Sequence, residues 1–290
     1  MSRRRREPIY GPPRTGAVAG KEDRMPSHRG DYTIESLARG LRVLTAFGPA
    51  RPEMSLQDIA DHVDVSKAGA LRLGHTLCEA GFLVRVGDGR GYRLGPTAIT
   101  VGLATTATMA LPEVAEPLLV ELRDVTGETA QLAVPHGTDA VIVGRVPSRQ
   151  FPPNPVYIGH RVPIHAGSLG RAMLAAAPAG TCDEVLARSE LPALTPRTAT
   201  TPEAIRSDLD RTRRRGWALN DQQTTVEHRS LAAAIRVPSG APVGAVNITV
   251  SASRVGARVL ARTHAAAVVH VAARISELLP EDFAGRTDVA

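Results

Sequence analysis

Aromatic residues make up only 3% of this 290-residue chain, and cysteine occurs just twice, as does lysine (Lys21 and Lys67). With so few rings, alanine, valine and leucine must fill the cores. Cys78 and Cys182 stand far apart, which excludes a disulfide framework and any metal-ligand spacing. Cys78 reads as a small core residue late in a helix, and a reducing, cytoplasmic setting fits. No apolar run approaches the roughly 20 residues that span a bilayer, so no membrane association is expected. No repeat, metal site or cofactor site is visible. Almost every cation is arginine, a bias that points to a GC-rich genome rather than to chemistry.

The net charge of +6 is unevenly placed. Residues 1–30 carry eight basic and three acidic side chains, so the remainder is nearly neutral. The total charge is therefore weak evidence for a nucleic-acid partner, and local placement must carry that argument. Residues 1–30 lack hydrophobic periodicity and are expected to form a disordered basic tail. Arg3-Arg4-Arg5-Arg6 is followed by no apolar stretch, which excludes a twin-arginine export signal. Two readings stay open for this tail: a phosphate-touching arm, or an extension upstream of a start at Met25.

Residues 31–95 carry the most informative pattern. Ile34, Leu37, Leu41, Val43, Leu44 and Phe47 recur at helical spacing and predict a bracing helix. Ser55 caps a second helix with Leu56, Ile59, Ala60 and Val63 on one side. After a turn at Asp64-Val65, Ser66 caps a third helix that stops at Gly81. Asp64 stands where the turn needs left-handed backbone, which Asp tolerates. Gly74 lies inside the third helix at a cost of about 1 kcal/mol relative to alanine. Phe82–Val86 and Tyr92–Leu94 then flank the glycine-rich tip 87–91 of a hairpin. This is the layout of a winged helix-turn-helix, which sets its second helix in the DNA major groove.

The DNA-facing set is then Ser55, Ser66, Lys67, Ala68, Gly69 and Arg72, with Arg90 at the wing tip. Arg72 can pair bidentately with guanine O6 and N7, a discrimination of about 1–3 kcal/mol. Ser66 and its neighbouring N–H groups suit a phosphate. One such unit makes too few contacts for specific affinity, so a homodimer on a near-palindromic operator in double-stranded DNA is expected.

A helix over 96–110 joins this unit to residues 111–280, and 281–290 form a C-terminal tail. In the larger segment a helix over 112–126 precedes two strands, 129–134 and 140–146. Another strand enters 161–165, and helices cover 167–177, 182–188 and 202–215. A late hairpin over 231–251 leads to a final helix over 256–279. The predicted class is α+β with an antiparallel sheet. Gly167-Ser168-Leu169-Gly170 opens a helix with small residues, where free N–H groups and the helix dipole suit a carboxylate. Arg145, ending an apolar strand, could pair with the same group. Asn247 and Thr249 alternate along one strand and so share a face.

Five strings spread along the chain resemble the isocitrate-lyase-regulator (IclR) family of bacterial transcription factors over about residues 32–280. They are Ile34–Leu41, Ser66–Leu73, His165–Ala175, Gly216–Gln222 and Arg229–Ala232. The resemblance implies a winged-helix DNA reader, a linker helix, and a GAF-like α/β domain that binds a small effector. It also implies dimers that can pair into tetramers. The positions that match the family's pocket are Ser168, Leu169, Asn220, Asp221, Ser230, Asn247 and Thr249. Asp221-Gln222 and Arg229–Ala232 are most similar to the regulators of protocatechuate and 4-hydroxybenzoate catabolism. That points to a small carboxylate of that kind, β-ketoadipate included. Gln223 and Glu227 depart from the family pattern near the ligand.

Two other readings compete. Ser168 with His165 and Asp221 could form a hydrolase triad. However, Ala166 stands where the nucleophile elbow needs glycine, and the residue order is wrong for that fold. An adaptor that binds DNA without a ligand is the other reading, and a polar pocket argues against it.

Overall fold

The computed structural model describes residues 33–49, 51–87, 89, 91–107, 109–149, 156–280 and 283. The expected tails over 1–30 and 281–290, and Arg90, fall largely or wholly outside them. The chain divides into two compact units, the first ending at Leu94 and the second starting at Gly95.

The first unit contains α1 (Glu35–Thr45), β1 (Met54–Ser55), α2 (Leu56–His62), α3 (Lys67–Glu79), β2 (Leu83–Val86) and β3 (Gly91–Leu94). The sheet order is β1-β3-β2, all antiparallel. Val43, Phe47, Met54, Ile59, Ala60, Val63, Ala70, Leu83 and Tyr92 form its core. The brace on α1 is narrower than the sequence predicts. Val43 and Phe47 are buried and Leu44 packs against the core, while Ile34, Leu37 and Leu41 lie more than half exposed on another face.

Caps fix both helices of the helix-turn-helix. The Ser55 hydroxyl accepts from the Asp58 N–H at 3.1 Å, and the Asp58 carboxylate accepts from the Ser55 N–H and hydroxyl at 2.8 Å each, a reciprocal capping box. These two donors hold the Asp58 carboxyl below the usual carboxylate range. The Ser66 hydroxyl accepts from Gly69 N–H at the start of α3. Between the two helices Asp64 adopts φ +51°, the left-handed conformation expected of it.

The second unit is built on a six-stranded antiparallel sheet. Its elements are α4 (Pro96–Ala107), α5 (Ala110–Thr126), β4 (Thr129–His136), β5 (Asp139–Val146), β6 (Arg161–Pro163), α6 (Ser168–Ala176), α7 (Ala179–Ala187), α8 (Pro202–Arg215), β7 (Ala218–Asp221), β8 (His228–Arg236), β9 (Pro242–Ser251) and α9 (Ala257–Leu278). Strand order is β6-β5-β4-β9-β8-β7. Alternation along the central strands gives the sheet two buried faces. Leu132, Leu231, Val246, Ile248 and Val250 meet α5 and α9 on one. Ala133, Ile142, Ala218, Ala232 and Ala245 meet Leu169, Ala172 and Met173 of α6 on the other. Strand β7 is absent from the sequence reading, and β8 starts at His228 rather than Leu231. A four-residue edge strand offers too little alternation to be read. No single helix among the described residues is long and apolar enough to cross a membrane.

The structure explains Gly74. A Cβ there would lie 2.9 Å from Cε1 and Cζ of the buried Tyr92 ring, so α3 packs directly on the wing strand. Alanine is the better helix former by about 1 kcal/mol, and the ring decides the sign. Gly74→Ala is expected to destabilise the first unit by about 1–3 kcal/mol. In a Tyr92→Leu background the same substitution becomes neutral or stabilising. Urea denaturation of the four chains of this cycle measures both.

Candidate DNA interface and effector site

On α3, Lys67, Ala68 and Arg72 are exposed as the sequence predicts, and His75 joins them. Among the described residues of this unit, ion pairs join Glu35 to Arg39 and Arg42, and Arg51 to Asp58. Lys67 and Arg72 stand outside them. So do Arg85 and Arg93, exposed cations of the wing strands that sequence reasoning missed; Arg85 lies 5.9 Å from the Tyr92 ring centroid. Their signal was their position on a hairpin beside the recognition helix. Two of the expected residues also serve the fold. Gly69 is half-buried and a Cβ there would meet Val65 Cβ at 3.2 Å, so its smallness serves packing inward. The Ser55 hydroxyl is engaged in both directions with Asp58, as the helix cap that the sequence predicts.

In the second unit, cross-strand register lines up polar residues on the α6 face of the sheet. Directly opposed residues share a face. One row runs Thr129, Thr249, Ser230, Asn220 across β4, β9, β8 and β7. The next runs Arg145, Gln131, Asn247, Ala232, Ala218 from β5 to β7. The row beyond contains Ala133, Ala245 and Ala234, and there α6 lies down on the sheet. The polar rows therefore begin where the helix starts.

Ser168, the first residue of α6, meets this floor: its hydroxyl lies 2.7 Å from that of Ser230, and both are buried. Thr249 Oγ1 donates to Gln131 Oε1 at 3.3 Å. Two buried amide atoms here have no partner, the Gln131 Nε2 donor and the Asn247 Oδ1 acceptor. Buried polar groups are normally satisfied, so this donor and acceptor on directly opposed residues stand out in the floor. Gln131 was missed by sequence reasoning. Its signal was a glutamine among apolar residues in a strand with two buried faces. Arg145 shares its row, and burial lowers the pKa of its guanidinium.

The remaining expected residues fall elsewhere or are engaged. Asn220 lies in the polar row, but its amide bonds Thr224 Oγ1 and the Gln223 N–H and so staples its own turn. Asp221, one residue on, faces away from that row, in ion pairs with Arg229 at 2.6 Å and Arg197 at 3.2 Å. Its place among the effector ligands is corrected on that ground. Leu169 packs its side chain into the core beneath α6. Gln223 Oε1 and carbonyl accept from Ala199 N–H and Thr198 Oγ1, which ties down the loop before α8.

The start of α6 is rigid. A Cβ on Gly170 would come 2.2 Å from the Ile164 carbonyl oxygen, so only glycine allows the preceding turn to fold onto the helix. Arg171, 1% exposed, donates to the Ala166 carbonyl at 2.9 Å and to the Asp208 carboxylate of α8 at 2.5 Å. Gly167 caps the helix with no side-chain bond, and the first N–H groups have no intrahelical acceptor. This end can receive a carboxylate.

The hydrolase arrangement does not assemble. His165 Nε2 bonds the Pro192 carbonyl, Asp221 is held by Arg229 and Arg197, and Ser168 bonds Ser230. Among the described residues no group of three or more His, Cys, Asp or Glu is placed to hold a metal ion.

A winged helix-turn-helix with an outward recognition helix, followed by an antiparallel-sheet domain with a polar floor, defines a DNA-binding transcriptional regulator. The IclR helix-turn-helix domain model matches residues 36–87, and the model of the bacterial transcriptional regulator IclR C-terminal domain matches residues 103–277. The chain belongs to the IclR family. It is 31% identical over 240 residues to the Pca regulon regulatory protein of Pseudomonas putida, covering 82% of each chain. It is 29% identical over 241 residues to the transcriptional repressor IclR of Escherichia coli (strain K12), covering 82% of this chain and 88% of that one. A transcriptional regulator from Rhodococcus sp. RHA1 superposes with a TM-score of 0.69 at 32% identity, covering 84% of this chain and 98% of that one. An IclR homologue from Microbacterium hydrocarbonoxydans, solved with 4-hydroxybenzoate, gives 0.69 at 26%, covering 83% and 98%.

Burial also sets a pH limit. His160, His165, His228 and His264 have pKa values lowered from the ordinary 6.5, in each case chiefly by burial. The unfolded chain therefore binds more protons at these sites than the folded one. Their neutral forms support the fold fully above the ordinary value, and that support is lost as pH falls through the depressed folded values. The urea midpoint of the second unit is expected to be lower at pH 5.5 than at 7.5. His165→Gln, which can still donate to Pro192, should narrow the difference.

Proposed function

We propose that two copies of this chain bind a near-palindromic operator through α3 and the wing, and that a small carboxylate on the second unit controls the complex. The chain acts as a regulator in the cytoplasm and not as an enzyme. The observation that carries the effector reading is the pair of unpartnered buried atoms, Gln131 Nε2 and Asn247 Oδ1, on the polar floor that Ser168 meets at the start of α6. Ser230, Thr249 and Arg145 complete the ligand set. An aromatic acid of the protocatechuate or 4-hydroxybenzoate class fits these groups, with its carboxylate at the helix start or at Arg145 and a ring hydroxyl at the amides. The Pca regulon regulator and the 4-hydroxybenzoate complex among the relatives support that class. Exposed apolar residues on α1 (Ile34, Leu37, Leu41) and on α4 (Ile99, Val101) support pairing of two copies through these helices.

Calorimetry with protocatechuate, 4-hydroxybenzoate and β-ketoadipate tests the effector. Heat from one of the three is expected, reduced by Asn247→Ala; silence from all three would defeat the class. A gel shift on the intergenic DNA beside the chain's own gene tests the other half. Arg72→Ala is expected to weaken specific binding by about 5- to 150-fold, the equivalent of about 1–3 kcal/mol. A shift unaffected by that change would remove Arg72 from base recognition.

A further inference from the structure

The recognition helix exposes a leucine. Leu71 is 46% exposed and lies in the middle of α3, on the side that also presents Lys67, Ala68, Arg72 and His75. The inward side of the helix is already filled: Ala70 is in the core, Gly74 lies against Tyr92, and Leu73 and Leu77 pack against the same cluster. Leu71 is the only large aliphatic side chain among the exposed residues of α3. At 100° per residue it stands one step around the helix from Arg72 and nearly in line with Lys67 and His75. An apolar side chain there meets no hydrogen-bonding group of its own kind in the major groove. It does meet one apolar feature, the C5-methyl group of thymine, which distinguishes a T·A pair from the others. Ala68, one turn earlier, is small enough to let the helix backbone approach the bases.

From this arrangement we propose that Leu71 reads a thymine methyl group in each operator half-site, within about one or two base pairs of the guanine contacted by Arg72. The inference rests on the DNA reading above and adds the base that an uncharged residue selects. Contact of Leu71 with a second copy of the chain is the competing use of the same exposure, and the experiment separates the two.

The full-length chain is used to select sites from a random duplex library. Each thymine of the enriched site is then replaced singly by uracil, which removes the methyl group and nothing else. A single uracil at that position is expected to weaken binding by about fourfold, the worth of one buried methyl group. For Leu71→Ala the same replacement should cost less than about twofold, while sensitivity at the guanine is kept. Leu71→Gln should enrich a different base at that position. If uracil is tolerated everywhere, or if Leu71→Ala retains the uracil penalty, the inference is overturned and the DNA reading stands. A lowered oligomeric state in Leu71→Ala with an unchanged base preference assigns the residue to a contact between copies and overturns it equally. Enrichment of no sequence at all would remove both readings.

Discussion

The second unit depends on one constraint: β8 and β9 are buried on both faces. A strand in that position cannot alternate apolar and polar residues in the usual way, because neither side meets water. The chain resolves this with small residues. Alanines at 232, 233, 234 and 245 let α6 on one side and α9 on the other come close to the sheet. The polar rows that hold Asn247, Thr249 and Ser230 lie at the start of that helix, and Arg236 bonds the Ala176 carbonyl at its other end. The start of α6 therefore bounds the proposed effector site, where Ser168 meets Ser230.

Much of this was legible in the residues. The capping serines at 55 and 66, Asp64 in the turn and the apolar spacing of α2 define the helix-turn-helix through local chemistry alone. The antiparallel sheet and the small-residue helix at 168 were legible for the same reason. What escaped were features set by long-range register. Nothing near Gln131 in the sequence says that Asn247 and Arg145 flank it, because those neighbours arrive from strands far along the chain. Asp221 failed in the opposite way. It stands beside Asn220 in the sequence, but a strand turns adjacent side chains to opposite faces. Gly74 was visible as an anomaly, and its cause, the Tyr92 ring, became visible only in three dimensions.

The charge pattern followed the same logic. The total was no guide, since most of the net positive charge lies in residues 1–30. Among the described residues, Lys67, Arg72, Arg85 and Arg93 lie outside the ion pairs of their unit, while Arg39, Arg42 and Arg51 lie within them. A cation already held by a carboxylate has less to gain from a phosphate. On the proposed operator reading, the unpaired ones are a better guide to the interface than the count of basic residues.

Control by a ligand requires that binding favour one arrangement over another. The turn before α6 cannot supply that difference. Gly170 sits against the Ile164 backbone, and Arg171 ties the Ala166 carbonyl to Asp208, so this turn, α6 and α8 are held as one piece. Removing Asp208 would leave a buried guanidinium without its counter-charge, which typically costs about 3–5 kcal/mol. Local bending at the site is thus expensive. That piece also packs on the sheet through Leu169, Ala172 and Met173, and the Ser168–Ser230 hydroxyl bond crosses from helix to strand beside two unpartnered amide atoms. On the proposed effector reading, a ligand that bonds the amides competes with Ser230 for the Ser168 hydroxyl.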